Sequence, residues 1–480
     1  MKRTLTIRSR RQFLAAASAA GTGSALGFPL SATAEGSRVR PTGPGSKYVP
    51  RVMAAFVRRK EDYGMRWPGA IYDGETARRN YRRQIEAAAA DLGIQVKIRP
   101  APIYSAAEAD AWVSEAQARK PDGLLVALLD RQKHSWPTAA KAAESGIPTV
   151  IFAPIGTAFT TNTKRLAGRN GVFICSTDDF RQAAYGLKMI RAGAKLREMR
   201  FLVIKGKQRR DTRLEETGTR LRYLPAKIFL DEYNRTPVTD EIRKLASRYV
   251  LHATAIRGPS EQDVLNGVKS YVVARNLLEK EEADGITMDC LRALGHTKVS
   301  LPCIAWSRML DEGIPAACEA DLGACVTHAL VGYLFDRPGF QQDPVPETAR
   351  NCLVGAHCTC ATRLRGWSEP AEPYFLSHHH GNRDAVPVPQ WRPGERMTVA
   401  DLLLVDEDRP QPGMVISSGT VVGNVSVPPS GGCVVSVMVE LDGKPDVLTY
   451  PGFHQIFFYG EWKRHLTAYC GLFGIEPLVV

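Results

Sequence analysis

Between residues 51 and 204 the chain repeats one pattern: a short apolar run without polar alternation, then a longer amphipathic stretch. The runs 51–57, 94–98, 123–129, 148–152, 171–175 and 201–204 read as strands, and 75–92, 106–119, 136–145 and 178–194 as helices. Strands that are apolar on both faces need cover on both faces. That is the condition of a parallel sheet wrapped by crossover helices. The pattern resumes with helices over 240–247 and 261–282, a strand over 285–288, helices over 304–312 and 322–334, and a strand over 353–355. From about Thr362 turn residues crowd in, among them Pro387, Pro389, Pro393-Gly394, Gly413, Gly419, Pro428-Pro429, Gly431-Gly432 and Asp442-Gly443. Between them 397–405, 413–427 and 433–441 are β-rich, and the chain closes with a strand over 454–459 and a helix over 462–472. An antiparallel barrel or sandwich fits that spacing. The expected fold is α/β: two doubly wound α/β domains, 50–200 and 201–361, followed by a C-terminal β-barrel-like domain, 362–480, with a Gly/Pro/Ser-rich linker over 35–49.

The first 34 residues read as a targeting segment. They hold five basic residues (Lys2, Arg3, Arg8, Arg10, Arg11), no acidic one, a weakly apolar stretch and the small-residue pattern Ala32-Thr33-Ala34. The run Ser9-Arg10-Arg11-Gln12-Phe13-Leu14 resembles the bacterial twin-arginine export signal. Such signals carry folded proteins out of the cytoplasm, so the export machinery is an expected partner and the periplasm the expected location. No later stretch reaches the ~18 apolar residues of a membrane span, so no stable membrane insertion is expected after cleavage. Without those five residues the formal charge of +13 falls to +8. The remaining basic runs (58–60, 205–210, 392–396) are short and lack interleaved aromatics. They read as solvated faces, and no nucleic acid is expected as a partner. The ten cysteines are not spaced as a zinc ribbon or redox pair and read as mostly buried free thiols.

There is no Walker loop, no Gly-x-Gly-x-x-Gly opening a helix and no Gly-x-Ser-x-Gly elbow. Three segments carry chemistry instead. In Ala317-Cys318-Glu319-Ala320-Asp321, a carboxylate sits among apolar neighbours just before the helix at 322. Taken singly, Glu319 and Asp321 also fit helix capping. Asp343, in Gln342-Asp343-Pro344, fits a turn. His454, leading into Gln455-Ile456-Phe457-Phe458-Tyr459, fits a hydrogen-bonded core histidine.

Taken together, the span 301–357 and the closing span 452–477 resemble the L-fucose isomerase and L-arabinose isomerase superfamily. The matching pieces are Pro302-Cys303 before a helix, Asp311-Glu312-Gly313-Ile314-Pro315 at its end, Cys318-Glu319-Ala320-Asp321, Asp343, Gly355-Ala356-His357-Cys358, and His454-Gln455-Ile456-Phe457 with Tyr459-Gly460. The first 200 or so residues agree with it only in α/β character. The resemblance implies a divalent metal, typically Mn²⁺, held by Glu319, Asp343 and His454, with His357 a weaker ligand or a substrate contact. Such an oxygen-rich donor set suits Mn²⁺ better than thiolates would.

The activity it implies is aldose–ketose isomerisation of a free sugar through an ene-diol, with Glu319 and Asp343 as the proton-transferring pair. It also implies a homo-oligomer, trimer or hexamer. The segment Ser377-His378-His379-His380-Gly381 reads as a polar loop, either a supplier of sugar contacts or simply exposed. The alternative is an exported, non-catalytic carbohydrate-binding protein with a degenerate isomerase site. A metal-assisted hydrolase or lyase is a third, weaker reading.

Overall fold

A computed structural model describes residues 43–60, 73–131, 133–379, 382–426 and 433–480. The targeting segment 1–34, His380 and the turns at Pro428-Pro429 and Gly431-Gly432 lie outside the described residues.

The first sheet contains β1 (Arg51–Val57), β2 (Gln95–Ile98), β3 (Gly123–Leu128), β4 (Thr149–Phe152) and β5 (Val172–Cys175) in the order β2-β1-β3-β4-β5, all parallel. β3 and β4 are buried throughout, and β1 after Arg51, because their residues meet helix layers on both faces, whereas the edge strand β2 exposes Gln95 and Lys97. Along β1, Val52, Ala54 and Phe56 join one core with the helices Gly74–Leu92 and Arg181–Glu198. Met53, Ala55 and Val57 join another with Ala106–Arg119 and Ser135–Glu144.

The second sheet takes β6 (Arg200–Ile204), β7 (Arg210–Arg213), β8 (Arg220–Leu224), β10 (Gly285–Met288) and β11 (Ala316–Cys318), in the order β11-β10-β6-β8-β7. Only β7 runs antiparallel. The pair β7–β8 was not foreseen. Arg222 on β8 pairs with Asp211 on β7 and with Glu281, while Leu221 and Leu224 of β8 are buried and β7 is exposed along its length. Residues 205–210 are exposed, but Arg58, in another basic run, is buried and packs toward Glu75. Within the expected linker, Pro44–Lys47 form a helical turn, and Asp284 accepts from the backbone N–H groups of Gly45 and Ser46.

The barrel begins earlier than expected. β12 (Phe340–Glu347) and β13 (Cys352–His357), placed by sequence in the central α/β domain, belong to it. With β16 (Arg396–Leu403), β17 (Gly413–Asn424), β18 (Val435–Leu441) and β19 (Gln455–Tyr459) they close an antiparallel six-stranded ring, β16-β19-β12-β13-β18-β17-β16. β20 (Glu476–Val479) runs parallel beside β17. Pro344 and Pro346 disguised β12. They are tolerated because β19 pairs only with Phe340–Gln342, which leaves that flank open from Asp343 onward. A small sheet of β9 (Ile256–Arg257), β14 (Tyr374–His379) and β15 (Arg383–Pro389) completes the fold. His378 and His379 therefore end a strand. They are not in a loop: His379 is buried, and His378 Nδ1 lies 3.1 Å from the Asp384 carbonyl oxygen.

Candidate metal centre

Glu319 follows β11 directly, at the carboxyl end of a parallel strand, where ligands bind in open α/β sheets. It and Ala320 take left-handed backbone (φ 61° and 56°), and this tight turn delivers the chain to the helix Leu322–Phe335. Asp343 and His454 meet through barrel register. The last paired residues of the β12–β19 ladder are Gln342 and Gln455, and the next residue on each strand is Asp343 and His454. His454 Nε2 lies 3.3 Å from Asp343 Oδ1 and 3.6 Å from Glu319 Oε2. His357, the last residue of β13, places Nε2 3.9 Å from Glu319 Oε1. The four residues that sequence brought forward thus converge on one point. The imidazoles are buried, with side chains 7% (His454) and 1% (His357) exposed, and the carboxylates face outward at 41% (Glu319) and 32% (Asp343).

Three buried atoms at that point have no hydrogen-bond partner: Asp343 Oδ1, His357 Nε2 and His454 Nε2. The 3.3 Å approach between His454 and Asp343 lacks hydrogen-bond geometry, so it does not satisfy either atom. Unpaired buried polar atoms are costly, and three aimed together call for a shared partner.

The tautomer sharpens this. Asp321 Oδ2 accepts from His454 Nδ1 at 2.9 Å, so in the neutral ring the Nε2 lone pair points at carboxylate oxygens. That is repulsive unless positive charge lies between them. Burial lowers the His454 pKa, but the Asp321 hydrogen bond and the negative charges of Asp321 and Asp343 outweigh it and lift the value to about 10. The pocket thus favours a cation, and the imidazolium proton fills the role that a metal would take.

Asp321 does cap the helix, accepting from Ala324 N–H at 2.7 Å, but it also orients His454. Asp401, on β16, accepts from the Phe453 N–H and is raised to about 7 by burial and by the charge of Asp321. Gln341 pairs its side-chain amide with Cys318, Oε1 accepting from the backbone N–H at 2.8 Å. This clips the barrel to the edge of the second sheet one residue before Glu319. Sequence gave no signal for Asp401 or Gln341, because both act through tertiary neighbours. His454 also has left-handed backbone (φ 55°), and the ring of the exposed Phe453 (62% exposed) lies 4.5 Å from it, centroid to centroid.

All ten cysteines are free, and all but Cys433 are buried, as expected. Burial raises most of their pKa values. Cys358 goes the opposite way because the thiols of Cys303 and Cys318, and His357 beside it, stabilise its thiolate. A cavity of about 580 Å³, lined by Lys205, Lys207, Lys227, Asp289 and Arg292 among others, opens at the carboxyl ends of β6, β8 and β10. Glu319 leaves β11, the neighbour of β10, at that same end of the sheet.

No family model matches the chain, and no curated protein matches it. Similar solved structures include a periplasmic solute-binding protein of an ABC transporter from Actinobacillus succinogenes 130z with bound D-allose. It is 14% identical over 59% of this chain and 91% of that one, at a TM-score of 0.19. A glucose-galactose binding protein from Geobacillus stearothermophilus is 14% identical over 61% and 93%, also at a TM-score of 0.19. A sugar-binding protein of a sugar ABC transporter from Bacillus halodurans is 16% identical over 62% and 91%, at a TM-score of 0.17. Likeness at that level carries no argument about this chain. Among the described residues no helix is long and apolar enough to cross a membrane.

Proposed function

We propose that this protein binds a sugar at a divalent-cation site made by Glu319, Asp343 and His454, with His357 beside them, and interconverts aldose and ketose there. The observation that carries this reading is the set of three partnerless buried atoms, Asp343 Oδ1, His357 Nε2 and His454 Nε2, gathered against Glu319. Two carboxylates and neutral imidazoles form a hard, oxygen-rich donor set that fits Mn²⁺. Once bound, such an ion would polarise neighbouring carbonyl and hydroxyl oxygens of the sugar and make the adjacent C–H more acidic.

The chain's own groups do the rest. Glu319, the more exposed carboxylate, is placed to take the proton from C2, and Asp343 assists its return to C1. Nothing is oxidised or reduced overall: the C2–H proton ends on C1, the O2 hydroxyl proton ends on O1, and the carbonyl double bond moves from C1 to C2. Asp321 holds His454 in the tautomer that presents Nε2. Phe453 offers an exposed ring against which a sugar face can pack.

The second reading keeps the site and drops turnover: an exported carbohydrate-binding protein in which the cation is structural. The openness of the site favours it, since Glu319 is 41% exposed and proton transfer from carbon gains from excluding water. A second copy of the chain, in the trimer or hexamer that the resemblance implies, would supply that cover under the first reading. Export by the twin-arginine route to the periplasm belongs to both.

The deciding experiment is metal analysis of the purified protein, followed by a panel of aldoses watched by NMR for C2 proton exchange in heavy water. The isomerase reading expects exchange that stops on chelation and in Glu319→Gln. Sugar binding with the metal loaded but no exchange moves the protein to the second reading. Exchange that survives chelation, or is unaltered in Glu319→Gln, overturns the site itself.

A further inference from the structure

Beside the oxygen-rich centre lies a second group of donors with different chemistry. Cys303 opens the helix Cys303–Asp311, Cys358 follows β13, and His379 ends β14. One donor atom from each lies within 4.8 Å of the other two, and all three residues are buried. Cys358 is shared with an overlapping group, Cys318 and His357, that meets the same distance. His357 Nδ1 is 3.5 Å from Cys358 Sγ, while its Nε2 faces Glu319.

We propose that Cys303, Cys358 and His379 form a separate site for a soft, thiophilic cation of the Zn²⁺ class, with Cys318 as the available fourth donor. Zinc bonds of about 2.3 Å to sulfur and 2.0 Å to nitrogen put donors roughly 3.5–4 Å apart, so the group closes on an ion with side-chain shifts of under about an ångström. Thiolate donors select such ions over Mn²⁺. Charge favours the divalent member: with Cys303 and Cys358 as thiolates, His379 neutral and Cys318 kept as a thiol, Zn²⁺ leaves no net charge in a buried volume, whereas a monovalent ion would leave one negative. Binding releases two thiol protons to solvent and changes no oxidation state. Closed burial makes the site structural, and it would tie the helix at 303, the barrel strand β13 and the small sheet into one unit.

The test uses the full chain, reduced and freed of metal, with Co²⁺ as a spectroscopic stand-in for Zn²⁺. The expected result is a near-ultraviolet thiolate-to-cobalt charge-transfer band, displaced by about one equivalent of Zn²⁺ per chain. The band is kept in Glu319→Gln and in Cys175→Ser, whose thiol sits in the first sheet, and lost in Cys303→Ser and Cys358→Ser. Because a cysteine variant can fail to fold, alkylation of the unaltered protein in mild denaturant is read in parallel. There Zn²⁺ slows labelling of Cys303 and Cys358 by about tenfold or more relative to Cys175 and Cys470. Absence of the band, its persistence in Cys358→Ser, or equal labelling with and without Zn²⁺ overturns the proposal. Loss of the band in Glu319→Gln would do so too, by assigning the ion to the oxygen-rich centre.

Discussion

Asp321 is one side chain doing two jobs, and only one of them can be read locally. As a cap it accepts from Ala324 N–H, and as a support it accepts from His454 Nδ1, 133 residues away. Asp321→Asn keeps much of the first role and weakens the second. The expected result is a loss of about 10–100-fold in divalent-metal affinity with a small change in stability, measured by competition titration and urea unfolding. Unchanged metal affinity would remove Asp321 from the centre.

His328 tests burial more directly. Both of its ring nitrogens are buried without partners. Desolvation, against a small opposing pull from Asp321, drops its pKa to about 3. The folded state therefore holds it neutral, while the unfolded chain protonates it near pH 6.5. Its contribution is full above that pH and is lost as pH falls toward the folded value, at up to about 1.4 kcal/mol per unit. Denaturant titrations between about pH 6 and 4 should show this slope in the parent and a flatter one, by one proton, in His328→Met. Parallel slopes would contradict it.

At the level of elements, the turn before β19 deserves a paired test. Gly452 has φ 86°, and a Cβ there would come 2.6 Å from Asp401 Oδ2. Gly443, at φ 75°, has nothing within 4 Å of the same position. Gly443→Ala should cost only the left-handed strain, about 1 kcal/mol. Gly452→Ala should cost more, about 2–3 kcal/mol, and should also displace His454 and weaken metal binding. Equal costs and intact binding in both would show that the turn does not position His454.

The same scale shows what sequence can and cannot display. β1, β3 and β4 were legible because both faces are buried, which forces nearly unbroken apolar runs. β7 and β8 were not: β7 is exposed along its length, and in β8 Arg220 and Arg222 interrupt the apolar run around the buried Leu221 and Leu224. β12 was hidden by Pro344 and Pro346, whose tolerance depends on where β19 stops. Glu319, Asp343, His357 and His454 were found by resemblance, and taken singly each fitted a humbler role. Barrel register unites Asp343, His357 and His454, the Gln341–Cys318 contact sets Glu319 against them, and register is a property of pairs of strands.

For the whole molecule, the centre is a seam. Glu319 comes from the edge of the second sheet, while Asp343, His357 and His454 come from the barrel wall, and Gln341 clips the two together beside them. A cation held there links both bodies in the folded state only. Saturating Mn²⁺ at about 100 times its dissociation constant should add roughly 2.7 kcal/mol of stability, seen as a rise of a few degrees in Tm. Chelation should reverse the rise, and Asp343→Asn should abolish it. A Tm indifferent to Mn²⁺ in the parent would leave the seam without its rivet.

The order of the donors along the polypeptide has one more consequence. A growing chain leaves the ribosome with Glu319, Asp343 and His357 long before His454. Until β19 is made and inserted, the ring cannot close and the last ligand is missing. Capture of the ion therefore waits for β19, and translation products truncated before His454 would be left without it.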